Sequence, residues 1–190
     1  MKRIVVLLTE GYADWECGQL LASAREEFKY DVTIVSPDGN MVTSLGGVRT
    51  LVDTSFDKVD PATIDCLVLC GGSIWESEKA PDLSARLREF AARDCVMGAI
   101  CGATLAFARA GLLDETAHTS NAPGYLAAAK EYRGEAFYRD VPHAVRSGKI
   151  VTAAGTAPIT FTAEVYRALG LGGPDLDEYV TLFGREFATR

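Results

Sequence analysis

Histidine is nearly absent from this chain: its 190 residues hold only His118 and His143. Neither stands near a pair of cysteines, and no two of the five cysteines form a Cys-x-x-Cys pair. The ligand spacing of a structural zinc site is therefore missing, and no metal or cofactor is expected. An odd cysteine count without an export signal also argues against a disulfide framework. Positive charge is short as well, with 19 Lys+Arg against 26 Asp+Glu and a net charge of −7, which disfavours nucleic acid or an anionic membrane surface as a partner. Long apolar runs are missing too. Lys2-Arg3 is followed by only five apolar residues, Ile4 to Leu8, too few for a signal-peptide core or a membrane span. A soluble, cytoplasmic protein is expected. Finally, neither Gly-x-Gly-x-x-Gly nor a P-loop with its Lys-Ser/Thr occurs, so the common phosphate cradles are excluded.

What is present is a globular composition, 48% hydrophobic and 24% charged, long enough for one domain over 1–190 with a full core. Strand and helix patterns alternate. Residues 3–9 form a near-continuous apolar run, as in a strand covered on both faces. Residues 14–28 have helical periodicity, with Trp15, Leu20, Leu21, Ala24 and Phe28 as the expected inner face. A strand over 31–36 stops at Pro37-Asp38-Gly39-Asn40, and 41–45 with 48–52 read as a small hairpin around Gly46-Gly47. Further strands are predicted at 65–69, 95–97, 117–121 and 149–153. Further helices are predicted at 81–92, behind Cys101 to about 111, and at 123–132, 159–169 and 175–187. Cys66 and Cys70 point to one face of their strand and read as core. The alternation predicts an α/β sandwich of three layers around a mainly parallel sheet.

In such a sheet the working site lies beyond the carboxyl ends of the strands. Four loops converge there: residues 10–16, the Gly71-Gly72 loop, the turn at Cys101, and 155–158. At Cys101 an apolar strand runs into Ala99-Ile100-Cys101-Gly102-Ala103, small residues flanking a nucleophile at the apex of a tight strand-to-helix turn. A thiol at a helix N-terminus is expected to be favoured as thiolate.

Taken in order, Gly11-Tyr12-Ala13-Asp14-Trp15-Glu16, Leu69-Cys70-Gly71-Gly72, the Cys101 turn and Thr152-Ala153-Ala154-Gly155-Thr156-Ala157-Pro158 resemble the ThiJ/PfpI superfamily. That is the flavodoxin-like group, with a class I glutamine amidotransferase-like fold, that includes the parkinsonism-associated protein deglycase. The resemblance implies that Cys101 is a nucleophilic, oxidisable cysteine and that Glu16 hydrogen-bonds its sulfur. It also implies an oxyanion pocket from the amides of Gly72 and Gly102, and a homodimer. A carboxyl beside a thiol in a desolvated cleft should have its pKa raised and serve as a proton donor. Asp14 is expected to cap its helix, and Asp14, His118, Asn121 and Thr156 are the further positions considered for substrate contact.

Departures from the family pattern narrow the chemistry. Protease-like members carry histidine directly after the cysteine, where this chain has Gly102. Deglycase-like members carry one at the place that Asn121 occupies. His118, three residues upstream in an extended segment, falls on the opposite face and roughly 10 Å back, and His143 reads as a surface residue. The His-x-Glu pair of glutamine amidotransferases is absent. Peptide hydrolysis and amidotransfer are thus disfavoured. The reading that remains is a cysteine-dependent enzyme for a small carbonyl or amide compound, of glyoxalase/deglycase or hydrolase type. The alternatives are an oxidation sensor or a metabolite-binding protein using the same thiol.

Overall fold

Alternate residues of the first strand part to opposite sides of the sheet, and two cores form as a result. Ile4, Val6 and Leu8 enter one buried cluster, Val5 and Leu7 the other. The structure, a computed structural model, describes residues 1–185. Its strands are β1 (Arg3–Leu7), β2 (Asp31–Ser36), β3 (Val42–Thr43), β4 (Arg49–Thr50), β5 (Thr54–Ser55), β6 (Cys66–Leu69), β7 (Val96–Ile100), β8 (Val145–Ser147) and β9 (Ile150–Ala153). Seven of them form one sheet in the order β5-β2-β1-β6-β7-β9-β8, while β3 and β4 pair apart as a hairpin. Every pairing in the large sheet is parallel except β8 with β9. The expected α/β three-layer architecture is what is found.

The helices are α1 (Asp14–Glu26), α2 (Ser84–Ala92), α3 (Thr104–Arg109), α4 (Pro158–Ala168) and α5 (Pro174–Gly184). On one face, Leu20 and Ala24 of α1, Phe161 and Tyr166 of α4 and Leu176 of α5 pack on Ile4, Val68 and Val151. On the other, Leu87 and Phe90 of α2 and Leu105 of α3 pack on Leu67, Leu69 and Met97. Gly98 lets α4 close on β7, because a Cβ there would lie 2.9 Å from Phe161 Cζ. Cys66 and Cys70 both lie buried on one face, as their spacing predicts.

Several elements differ from the sequence reading. Trp15 is 55% exposed rather than on the inner face, since Glu16, Cys17 and Leu20 take the buried side of α1. Asp14 does not cap α1. The cap position is Ala13, and the Asp14 carboxylate instead accepts from the Gly46 amide at 2.9 Å. The expected strand at 117–121 reduces to a bridge between His118 and Tyr138, because Thr119 donates its amide to Thr152 Oγ1 rather than to a neighbouring strand. The expected helix at 123–132 is only the short 3-10 turn Tyr125–Ala128, entered through Gly124 at φ 80°, a left-handed conformation that starts no α-helix. Strand β8 was not expected at all. The predicted last helix begins at Pro174, and its residues 186–187 lie outside the described residues.

Candidate functional site

Parallel pairing aligns the strand ends. Ile4 to Leu7 run beside Cys66 to Leu69, Leu69 pairs with Ala99, and Ile100 pairs with Ala153. The residues just beyond these pairs therefore share one edge of the sheet. They are the loop into α1, Gly71 and Gly72, Cys101, and Gly155.

Cys101 sits at φ 58°, a left-handed conformation costly for a residue with a Cβ. The strain belongs to the turn that lifts the sulfur off the sheet edge and leaves it half-buried. Gly102 follows because a Cβ there would come 2.9 Å from the Gly72 carbonyl oxygen and 3.1 Å from Trp75 Cβ. Gly72 and Gly102 thus lie against each other, and the Gly102 amide favours the anionic sulfur.

Glu16, in the first turn of α1, is 1% exposed. A Cβ on Gly155 would stand 2.7 Å from Glu16 Oε1 and 2.9 Å from Cys101 Sγ, so acid and thiol share one glycine-walled slot. Among the described residues, neither carboxyl oxygen has a well-formed hydrogen bond. A buried carboxyl so poorly paired resists ionisation, and Glu16 is pushed up to about 7, first by burial, against opposing contributions from Cys101 and the Gly71 amide. The Cys101 thiol is pushed up to about 11, first by burial and then by the charge of Glu16, against the pull of Asn121 and the Gly102 amide. Burial and the Glu16 charge thus oppose the thiolate that the helix terminus was expected to favour. The helix behind the turn, α3, has only six residues.

Asn121 is brought to the thiol. Its Nδ2 donates to Cys101 Sγ at 3.4 Å, and its Oδ1 accepts from the Gly155 amide at 3.1 Å. The Gly155 carbonyl in turn accepts from Trp15 Nε1 at 3.0 Å. An amide oriented this way donates a hydrogen bond but takes no proton.

His118 is not brought to the site. It is fully buried, Nδ1 lies 2.6 Å from the Thr116 carbonyl, and Nε2 lies 2.8 Å from the Tyr132 hydroxyl. Its ring is edge-on to Tyr132 and Tyr138, and burial holds its pKa below the usual value. Asp14 turns to the 44–46 turn, and the Ser44 hydroxyl leads the groups that keep it below its ordinary range. Thr156 is exposed on the turn after β9, and His143 is on the surface. Among the described residues no three of His, Cys, Asp and Glu gather as metal ligands.

Two residues beside the cleft escaped the sequence reading. Tyr125, four residues beyond Asn121, donates its hydroxyl to Glu76 Oε1 at 2.7 Å. They are 49 positions apart, and no local pattern joins them.

Comparison with known proteins agrees with this layout. The model of the DJ-1/PfpI family matches residues 2–168. A solved DJ-1 superfamily protein, Atu0886 of Agrobacterium tumefaciens, superposes with a TM-score of 0.94 at 43% identity, covering 99% of this chain and all of that one. The uncharacterized protease YoaZ of Bacillus subtilis is 32% identical over 182 residues, 92% of this chain and 86% of that protein. The deglycase TK1284 of Thermococcus kodakarensis is 32% identical over 91 residues, 46% of this chain and 54% of that protein.

Proposed function

The chain belongs to the DJ-1/PfpI family, and from that premise we propose that it is a cysteine-dependent enzyme acting on a small carbonyl or amide compound. The observation that carries this reading is the shared slot of Cys101 and Glu16, with the carboxyl pushed up to about 7. A group with that pKa takes and returns protons at neutral pH. In the proposed step the Cys101 sulfur forms a bond to the carbonyl carbon, the C=O π pair moves to oxygen, and the thiol proton passes to Glu16. Glu16 then returns that proton to the substrate oxygen, leaving a neutral adduct. In this reading the amides of Gly72 and Gly102 hold the oxygen while it is negative. Asn121 orients the sulfur but supplies no second base, so expulsion of an amine depends on Glu16 alone. An aldehyde, which has no leaving group to protonate, suits this site better than a peptide bond.

The oxidation-sensor alternative needs an easily ionised thiol. Selective oxygen addition at Cys101 under mild peroxide, without turnover, would favour it. Purified wild-type protein and Cys101→Ser, assayed with methylglyoxal and a panel of small amides, test the proposal. Turnover by the wild type and its loss in the variant are expected. Equal turnover by the two, or none by either, overturns it.

A further inference from the structure

The cleft holds two carboxylates. Glu16 stands inside it, and Glu76 stands at its rim. Glu76 ends the short turn Ser73–Glu76 that starts directly after Gly72 and whose Trp75 backs Gly102. The hydroxyl of Tyr125, which follows Asn121 by four residues, donates to Glu76 Oε1 at 2.7 Å. A neutral donor thus fixes the carboxylate and leaves its charge in place. Among the described residues Glu76 is in no ion pair. Among the described residues no lysine, arginine or histidine side chain hydrogen-bonds Glu16, Cys101, Tyr125 or Glu76, and the Arg109 guanidinium beside this turn is bound to the Trp75 carbonyl at 3.0 Å. Glu16 and Glu76 thus bring two acidic side chains to this end of the sheet with no cation paired to either. Such a pair concentrates cations at the thiol and repels anions.

We propose that Glu76, held by Tyr125, is a specificity-determining group that draws in substrates with an ammonium or guanidinium end and turns away carboxylate- and phosphate-bearing ones. The inference deepens the proposed function, and it needs Cys101 only as the reacting thiol. Methanethiosulfonate reagents test it without any turnover, because the Cys101 thiolate forms a mixed disulfide and expels methanesulfinate whatever charge the reagent carries. The measured quantity is the rate with the trimethylammonium-ethyl reagent divided by that with the sulfonato-ethyl reagent. The uncharged methyl reagent reports that the site remains folded.

Glu76→Gln is expected to lower the ratio about five-fold, the effect of one unit charge at short range in a partly wet cleft. Tyr125→Phe, which frees the carboxylate from its anchor, is expected to lower it at least about two-fold. Glu26→Gln removes the same charge at a distant exposed position on α1 and should leave the ratio unchanged. A ratio unmoved in Glu76→Gln, or moved equally in Glu26→Gln, overturns the proposal. If Glu76→Gln loses reaction with the methyl reagent, an unmoved ratio in Tyr125→Phe overturns it instead. Turnover by the wild type with no shift in ratio removes only the Glu76 assignment. A shift in ratio without turnover removes only the enzymatic reading.

Discussion

Replacing Glu16 with glutamine isolates the carboxylate's effect on the thiol, because shape and burial stay nearly the same while one charge goes. In the wild type the Cys101 thiol stands at about 11, so only about one part in a thousand is thiolate at pH 8. Burial is the larger cause of that shift and survives the substitution. The charge of Glu16 is the next cause and does not. A nearby like charge shifts a pKa by about one unit or more, so the variant thiol should ionise near 10, with about ten-fold more thiolate at pH 8. A less basic thiolate is also a weaker nucleophile, which returns about a factor of three. Iodoacetamide should therefore alkylate Cys101 about three-fold faster in the variant at pH 8, with the profile displaced toward lower pH. Mass-spectrometric assignment separates Cys101 from the four buried cysteines. A profile that stays in place or moves to higher pH would refute the reasoning.

Stability should carry the same signature. Burial raises Glu16 from its ordinary 4.5 to about 7, so between those values the native state holds a proton that the unfolded chain has released. Stability must fall as pH rises through that window, by about 3 kcal/mol in total. Chemical denaturation at pH 5 and pH 8 should show that fall in the wild type and lose most of it in Glu16→Gln. Gly155→Ala places a Cβ against Glu16 Oε1 and Cys101 Sγ. It should cost about 1–3 kcal/mol in denaturant titration and slow Cys101 alkylation at least about ten-fold. His118→Ala should destabilise by about 2–3 kcal/mol, since a buried ring and two polar contacts are lost, yet leave the Cys101 alkylation profile unmoved. A slowed or displaced profile would return His118 to the site. Light scattering should give twice the 20.4 kDa chain mass, the homodimer that the family resemblance implies, and the monomer mass would reject it.

Much of this arrangement is legible in the sequence where local chemistry and tertiary packing agree. The strand at 31–36 reads cleanly because it is apolar and stops at Pro37-Asp38-Gly39-Asn40. The Cys101 turn reads cleanly because only small residues fit there, and the 2.9 Å approach of a Gly102 Cβ to Gly72 gives the reason. Legibility fails where a long-range contact outweighs the local pattern. Trp15 looks like core in a helical wheel, yet α1 buries the carboxyl of Glu16 in that direction to meet Cys101 and leaves the indole to reach Gly155. The segment around Asn121 looks like a strand, but Thr152 takes one of its amides. Asn121 is singled out through the family resemblance, as a candidate substrate contact, and not from strand register. The thiolate expectation left out the opposing causes for a related reason. Helix position is visible in sequence, whereas the balance between burial, an acid 85 residues away and one asparagine needs the folded site.

The central claim is that a buried carboxyl poised at neutral pH stands ready to exchange a proton with Cys101. Infrared difference spectroscopy of wild type against Glu16→Gln, followed across pH, reads the protonated carboxyl directly. A band with a midpoint near pH 7 is predicted, displaced in Cys101→Ser. A midpoint near the ordinary 4.5, indifferent to Cys101, would contradict the account.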